Sequence, residues 1–230
     1  SGIAGVIYQI GKIFQNQERY EEAIRLYKRS LKESEELGEK SAIASAFHAL
    51  GNVYSLLGDY EESSKLRKKA FEIAECLNDK SQIALILHNQ GRDCQDKGDY
   101  EEALKLYSQS LVISKEIGEK GTISKNLHCL ATTHHDQGNY EKAIESYNQA
   151  LKIKEEIGDK IEIAGILYNI GGIQRERQEY VLSLRAYLKA LSIFKEIDSP
   201  QCQIVEKNIS YLRAELGEEE FNAILGKMEG

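Results

Sequence analysis

The chain has 230 residues, 41% of them hydrophobic and 29% charged, which is enough apolar material for a sizeable core. Its 30 Lys and Arg against 37 Asp and Glu leave a net charge of −7, which argues against wholesale binding of a phosphate backbone. No run of about 18 apolar residues is present to span a membrane, and four cysteines without CxxC spacing favour a reducing, cytoplasmic setting over a disulfide framework.

Taken from the N-terminus, the chain repeats itself. Tyr20, Tyr60, Tyr100, Tyr140 and Tyr180 return every 40 residues without an insertion, and so do Ile3, Ile43, Ile83, Ile123 and Ile163. Leu37, Leu77, Ile117, Ile157 and Ile197 form a third column. A fixed period of this size marks a stack of like structural units. The units run 1–40, 41–80, 81–120, 121–160 and 161–200.

Each unit reads as two amphipathic helices. In the first, apolar residues fall at helical spacing, as in Ile43, Phe47, Leu50 and Tyr54. That helix stops at Gly58, Gly98 or Gly138, and Asp59-Tyr-Glu-Glu62 and Asp99-Tyr-Glu-Glu102 then open the second with an N-cap aspartate. The second helix ends near Gly38, Asn78, Gly118 and Gly158. Gly11, Gly51, Gly91, Ala131 and Gly171 lie mid-helix, where glycine costs about 1 kcal/mol relative to alanine, so a neighbour must approach closely there. Ala23, Ser63, Ala103, Ala143 and Ser183 offer a matching small surface. Tyr27, Tyr107, Tyr147 and Tyr187 supply large rings, a column that Arg67 interrupts.

The pattern Leu50-Gly51-x-x-Tyr54…Gly58-Asp-Tyr60…Ser63…Ala70 resembles the tetratricopeptide repeat. The usual unit of that family is shorter, at about 34 residues, and a proline closes its second helix. Here the longer unit carries Glu35, Glu75, Lys115, Glu155 and Lys195 in that region. The chain is similar to the longer-helix branch, with its cell-polarity adaptors, kinesin light chains, quorum-sensing regulators and sensor arrays of signal-transducing ATPases. The resemblance implies an all-α, right-handed superhelical solenoid of antiparallel helix pairs over residues 1–200. It also implies a concave groove lined by the first helices, which would take a protein or peptide segment.

Beyond residue 200, Ile204, Ile209, Leu212 and Leu216 share a face, and Phe221, Ile224, Leu225 and Met228 follow at helical spacing. Residues 201–230 are therefore expected to form capping helices, helped by Leu182, Leu188 and Phe194. No polar cap precedes the first helix, which suggests either a fragment of a longer chain or self-association through that edge.

The resemblance places unit positions 5, 8, 12, 15 and 16 on the groove. Tyr8, His48, His88, His128 and Tyr168 occupy position 8; Lys12, Asn52 and Arg92 are the candidates at position 12, and His135 and Arg175 at position 15. Asn89 and Lys125 complete the candidate set. A ring-rich row of hydrogen-bonding groups suits a peptide, although the same rings would also serve to stiffen the stack. The cations Lys12, Arg92, Lys125 and Arg175 would meet either a partner carboxylate or the internal Asp96, Asp136 and Glu176. The dicarboxylate clamp of some family members is not matched, because its third-unit Lys and Arg fall on Leu85 and Asn89.

No metal or other cofactor is expected. His128 and His135 stand about 10.5 Å apart along a helix, far for ligands near 2 Å from one ion. GxxxxGK[ST], HExxH and GxSxG are all missing, so an enzyme is not expected. The leading expectation is thus a peptide-binding scaffold. The alternatives are the sensor domain of a larger signalling ATPase and a structural or oligomerising spacer. Neither nucleic acid nor membrane is an expected partner.

Overall fold

The computed structural model describes residues 2–229, with side chains described to residue 226. The described residues form twelve helices and no strand. These are α1 (Gly2–Asn16), α2 (Tyr20–Leu37), α3 (Lys40–Leu56), α4 (Tyr60–Cys76), α5 (Lys80–Asp96), α6 (Tyr100–Ile117), α7 (Lys120–Asp136), α8 (Tyr140–Ile157), α9 (Lys160–Glu176), α10 (Tyr180–Glu196), α11 (Cys202–Leu216) and α12 (Glu218–Glu229). No described helix is long and apolar enough to cross a membrane. The chain divides into two compact units, Ser1–Asn126 and Leu127–Gly230, with the division falling inside α7.

The turns between helices follow from single residues. Gly38, Gly118 and Gly158 close α2, α6 and α8 at φ of 68°, 72° and 77°, a left-handed conformation that glycine adopts without a Cβ clash. Asn78 and Asp198 do the same job at φ of 52° and 50°, as side chains able to bond locally can. At the start of the next helix, the Asp59, Asp79, Asp99 and Asp159 carboxylates accept from the backbone N–H three residues on, at 3.0–3.3 Å. Each such cap contributes about 1 kcal/mol.

In the first unit α1 packs along α2, α3 along α4 and α5 along α6, while α1, α3 and α5 also touch in succession. The mid-helix glycines decide how closely the paired helices approach. A Cβ on Gly91 would lie 2.8 Å from Tyr107 Cε1, and one on Gly11 would lie 2.9 Å from Tyr27 Cε1. In the second unit, Gly171 stands in the same relation to Tyr187, at 2.8 Å. These three tyrosines and Tyr147, the fourth of the column, are all buried. Tyr27 and Tyr107 point their hydroxyls at Gln15 and Gln95, at 2.8 and 3.0 Å.

Arg67, the break in that column, is fully buried and paired with Asp93 of α5. Its guanidinium also donates to Asn52 Oδ1 at 2.9 Å and to the Asn89 carbonyl at 3.2 Å. Asp93 accepts in turn from Ser55 Oγ at 2.6 Å and Ser63 Oγ at 3.0 Å. The matching pair one period earlier is Tyr27 and Val53, which share an apolar cluster. Two substitutions on different helices have therefore turned an apolar contact into a buried ion pair with its own hydrogen-bond shell.

The C-terminal helices differ in detail from the expected face. Leu184 of α10 packs with Leu212, Phe221 and Ile224 in one buried cluster, with Leu188 and Leu216 against it. Val205, Ile209, Leu212 and Leu216 recur at i, i+4, i+7 and i+11, so they form the inward stripe of α11. Ile204 falls about 100° off that stripe and is exposed, as is Leu182. Met228 lies outside the described side chains. At the other end, α1 exposes Ile3, Val6, Ile10 and Ile13.

Candidate functional site

Residues at positions 8, 12 and 15 of a unit are spaced by four and then three, so they lie on one helical face. In the first unit most of that row is occupied by internal partners. Tyr8 leans on Tyr27 with ring centroids 5.3 Å apart, and His88 leans on Tyr107 at 5.6 Å. His88 Nδ1 donates to Asn126 Oδ1 at 2.8 Å, and Asn89 Nδ2 donates to His48 Nε2 at 2.7 Å. His48, His88 and Asn89 are all buried, and Asn52 is taken by Arg67. Burial is the main force pushing the His48 pKa down to about 3, with Arg67, Arg92 and His88 adding to it. His88 is pushed down as well, chiefly by burial. Lys12 and Lys125 are exposed and Arg92 is half-buried.

The second unit keeps an open space on its corresponding row. The half-buried His128 and Tyr168 rest on Tyr147 and Tyr187, with centroids 5.3 and 5.7 Å apart. Beside them lies a cleft of about 680 Å³ lined by Thr132 and His135 of α7, Tyr168, Gly172 and Arg175 of α9, and Asn208 and Glu215 of α11. Position 12 of the fifth repeat, on the wall of this cleft, is Gly172, where Lys12, Asn52, Arg92 and Thr132 stand in the other copies. A Cβ there would meet only Tyr187 Oη, at 3.8 Å.

Polar contacts set the walls. Arg175 donates to both Glu215 oxygens at 2.8 and 3.0 Å, a forked pairing that holds the Glu215 carboxyl below its usual range and raises the arginine. Its partner is therefore Glu215, not the Asp96, Asp136 or Glu176 considered from sequence. His135 Nε2 donates to Glu176 at 3.0 Å, and Asn208 Nδ2 donates to Tyr168 Oη at 3.1 Å. Asn208 and Glu215 lie one full period after Tyr168 and Arg175, so α11 contributes to this face as a further first helix would. Sequence reasoning treats that helix only as a cap and misses both residues, although their register is visible. Among the described residues, no group of three or more His, Cys, Asp and Glu is placed to hold a metal ion.

A family model described as the tetratricopeptide repeat matches residues 3–75 and 82–156. The chain belongs to the tetratricopeptide repeat family. No curated protein matches this tetratricopeptide repeat chain. Among solved structures it is similar to BtubC (BKLC) from P. vanneervenii, with a TM-score of 0.77 at 18% identity over 92% of each chain. It is also similar to a Signal Transduction ATPase with Numerous Domains from Pyrococcus horikoshii that carries a tetratricopeptide repeat sensor. That match has a TM-score of 0.75 at 21% identity and covers 91% of this chain but 31% of the ATPase. The apo form of RapI gives a TM-score of 0.74 at 20% identity over 93% of this chain and 84% of its own. At such identities these likenesses speak for the fold. The family's fold is one of helix-pair scaffolds for protein interaction, and the site must supply the rest.

Proposed function

We propose that this chain is a protein- or peptide-binding scaffold that takes an extended segment along the first-helix face of its second unit. The observation that carries this reading is the cleft at Gly172, with polar side chains from three successive first helices around it. A peptide brings unpaired backbone donors and acceptors, and the hydroxyl of Thr132 and the amides of Asn169 and Asn208 on the cleft wall would exchange their internal hydrogen bonds for them. His135, Tyr168 and Arg175 are the assigned contacts there. Lys12, Arg92 and Lys125 are the assigned contacts on the first unit's own first-helix face. Tyr8, Asn52, His48, His88, Asn89 and His128 act as supports that fix neighbouring helices. We assign residues 1–200 to five repeats and 201–230 to closing the stack, and we assign no catalytic step.

Affinity capture with the chain and with Gly172→Arg tests the reading. An arginine at position 172, whose Cβ would meet only Tyr187 Oη at 3.8 Å, would carry its bulk and charge into the cleft. A partner retained by the parent chain and lost by the variant, with helical content unchanged, is the expected result. Equal capture by both would place the site elsewhere.

A second reading follows from the ATPase, because most of this chain matches about a third of a longer protein that carries a tetratricopeptide repeat sensor. On that reading the same cleft receives an activating segment, and a nucleotide-binding domain encoded in the same open reading frame is the expected finding.

A further inference from the structure

The cleft does not stand alone. A narrower slot of about 250 Å³ adjoins it on the second unit and shares Tyr168 and Asn169 with it. The slot runs toward the start of α9 and is walled mainly by apolar groups: Ile161, Ile166, Phe194, Ile204 and Val205, with Gly165 opening its floor. The wider cleft has a different chemistry. It holds three carboxylates, Asp136, Glu176 and Glu215, against one permanent cation, Arg175, and that cation is already forked onto Glu215. The half-buried Tyr168 and Tyr180 add aromatic surface, on which a cation gains about 0.5–1 kcal/mol or more.

Resting on the function proposed above, we infer that the preferred occupant is an extended peptide with a basic side chain in the cleft and a large apolar side chain in the slot. Gly172 lines the cleft and Gly165 the slot, two helical turns apart on α9, or about 10 Å along its axis. An extended chain covers that distance in about three residues. Charge sets the first preference: a partner arginine or lysine meets negative potential, and an acidic side chain in the same place is repelled. The slot sets the second, because an aliphatic or aromatic group would cover the exposed Ile161 and Ile204.

Selection of phage-displayed random heptapeptides on the whole chain tests both preferences. The expected winners combine Arg or Lys with a large apolar residue two to four positions away. Replacing their basic residue by Glu should weaken binding at least tenfold in fluorescence anisotropy. Glu176→Gln should narrow that Arg-to-Glu ratio several-fold. Gly165→Leu should abolish the apolar preference while leaving the charge preference, because a Cβ at residue 165 meets nothing within 4 Å. Winners that lack a basic residue, or that are acidic, and that still lose binding to Gly172→Arg would overturn the specificity while keeping the scaffold. No winners at all, or winners indifferent to Gly172→Arg, would overturn both.

Discussion

Asp93→Val leaves the Arg67 guanidinium fully buried without its counter-charge. Deleting one partner of a buried ion pair costs about 3–5 kcal/mol. The hydroxyls of Ser55 and Ser63 lose their acceptor in the same step, for roughly 1 kcal/mol each. A loss of about 4 kcal/mol or more is therefore expected, against a total of about 5–15 kcal/mol for an ordinary domain. The companion variant, Arg67→Tyr/Asp93→Val, rebuilds the pair that Tyr27 and Val53 already make one period earlier. The hydroxyl it introduces would find Ser55 where Tyr27 finds Gln15. Replacing a buried pair by packed apolar groups is neutral or stabilising in most cases, so this double variant should stand within about 2 kcal/mol of the parent. Urea unfolding at pH 7, followed by circular dichroism and read as a double-mutant cycle, measures the coupling, which should be about 3 kcal/mol or more. Asp93→Val within about 1 kcal/mol of the parent, or a double variant that loses the sum of the singles, would refute the reasoning.

Two further changes probe the same packing. Gly91→Ala gains about 1 kcal/mol of helix propensity but drives a methyl to 2.8 Å from Tyr107 Cε1, an overpacking that costs about 1–3 kcal/mol; a lower urea midpoint is expected, and a higher one would mean the ring yields freely. His48 titrates near 3 when folded and near 6.5 when unfolded. Below pH 6.5 the unfolded chain takes a proton that the folded chain refuses. Stability is thus whole above that pH and falls toward pH 3, by up to about 1.4 kcal/mol per unit from this residue. His48→Gln, which keeps an acceptor for Asn89, should flatten that slope in acid melts; an unchanged slope would clear His48 of the effect.

The helix pairs are legible in the sequence because one side chain decides each turn and each close approach, and a fixed period displays those side chains in columns. Arg67 is not legible by the same route. Its partner Asp93 sits on the next helix, in a different column, and each substitution alone reads as an anomaly. The floor of the cleft is half legible. Position 12 carries side chains in four copies and none at Gly172, but a missing side chain signals space only once its neighbours are known. For Arg175 the sequence offers internal partners within residues 1–200, whereas the actual partner, Glu215, lies one period further on, in a helix that reads only as a cap. Ile204 reads as part of the inner stripe of α11 because it lies eight residues, close to two turns, before Leu212, while Val205 fits that stripe better by one position.

Amide and methyl chemical shifts of the chain, recorded with a captured partner segment or a selected peptide, test most directly whether the first-helix face of the second unit is where binding happens. Perturbations clustered on Thr132, His135, Tyr168, Gly172, Arg175 and Asn208 are the expected result. Perturbations confined to the separate hollow lined by Ile144 and Gln149 of α8 and Leu182 of α10 would contradict it.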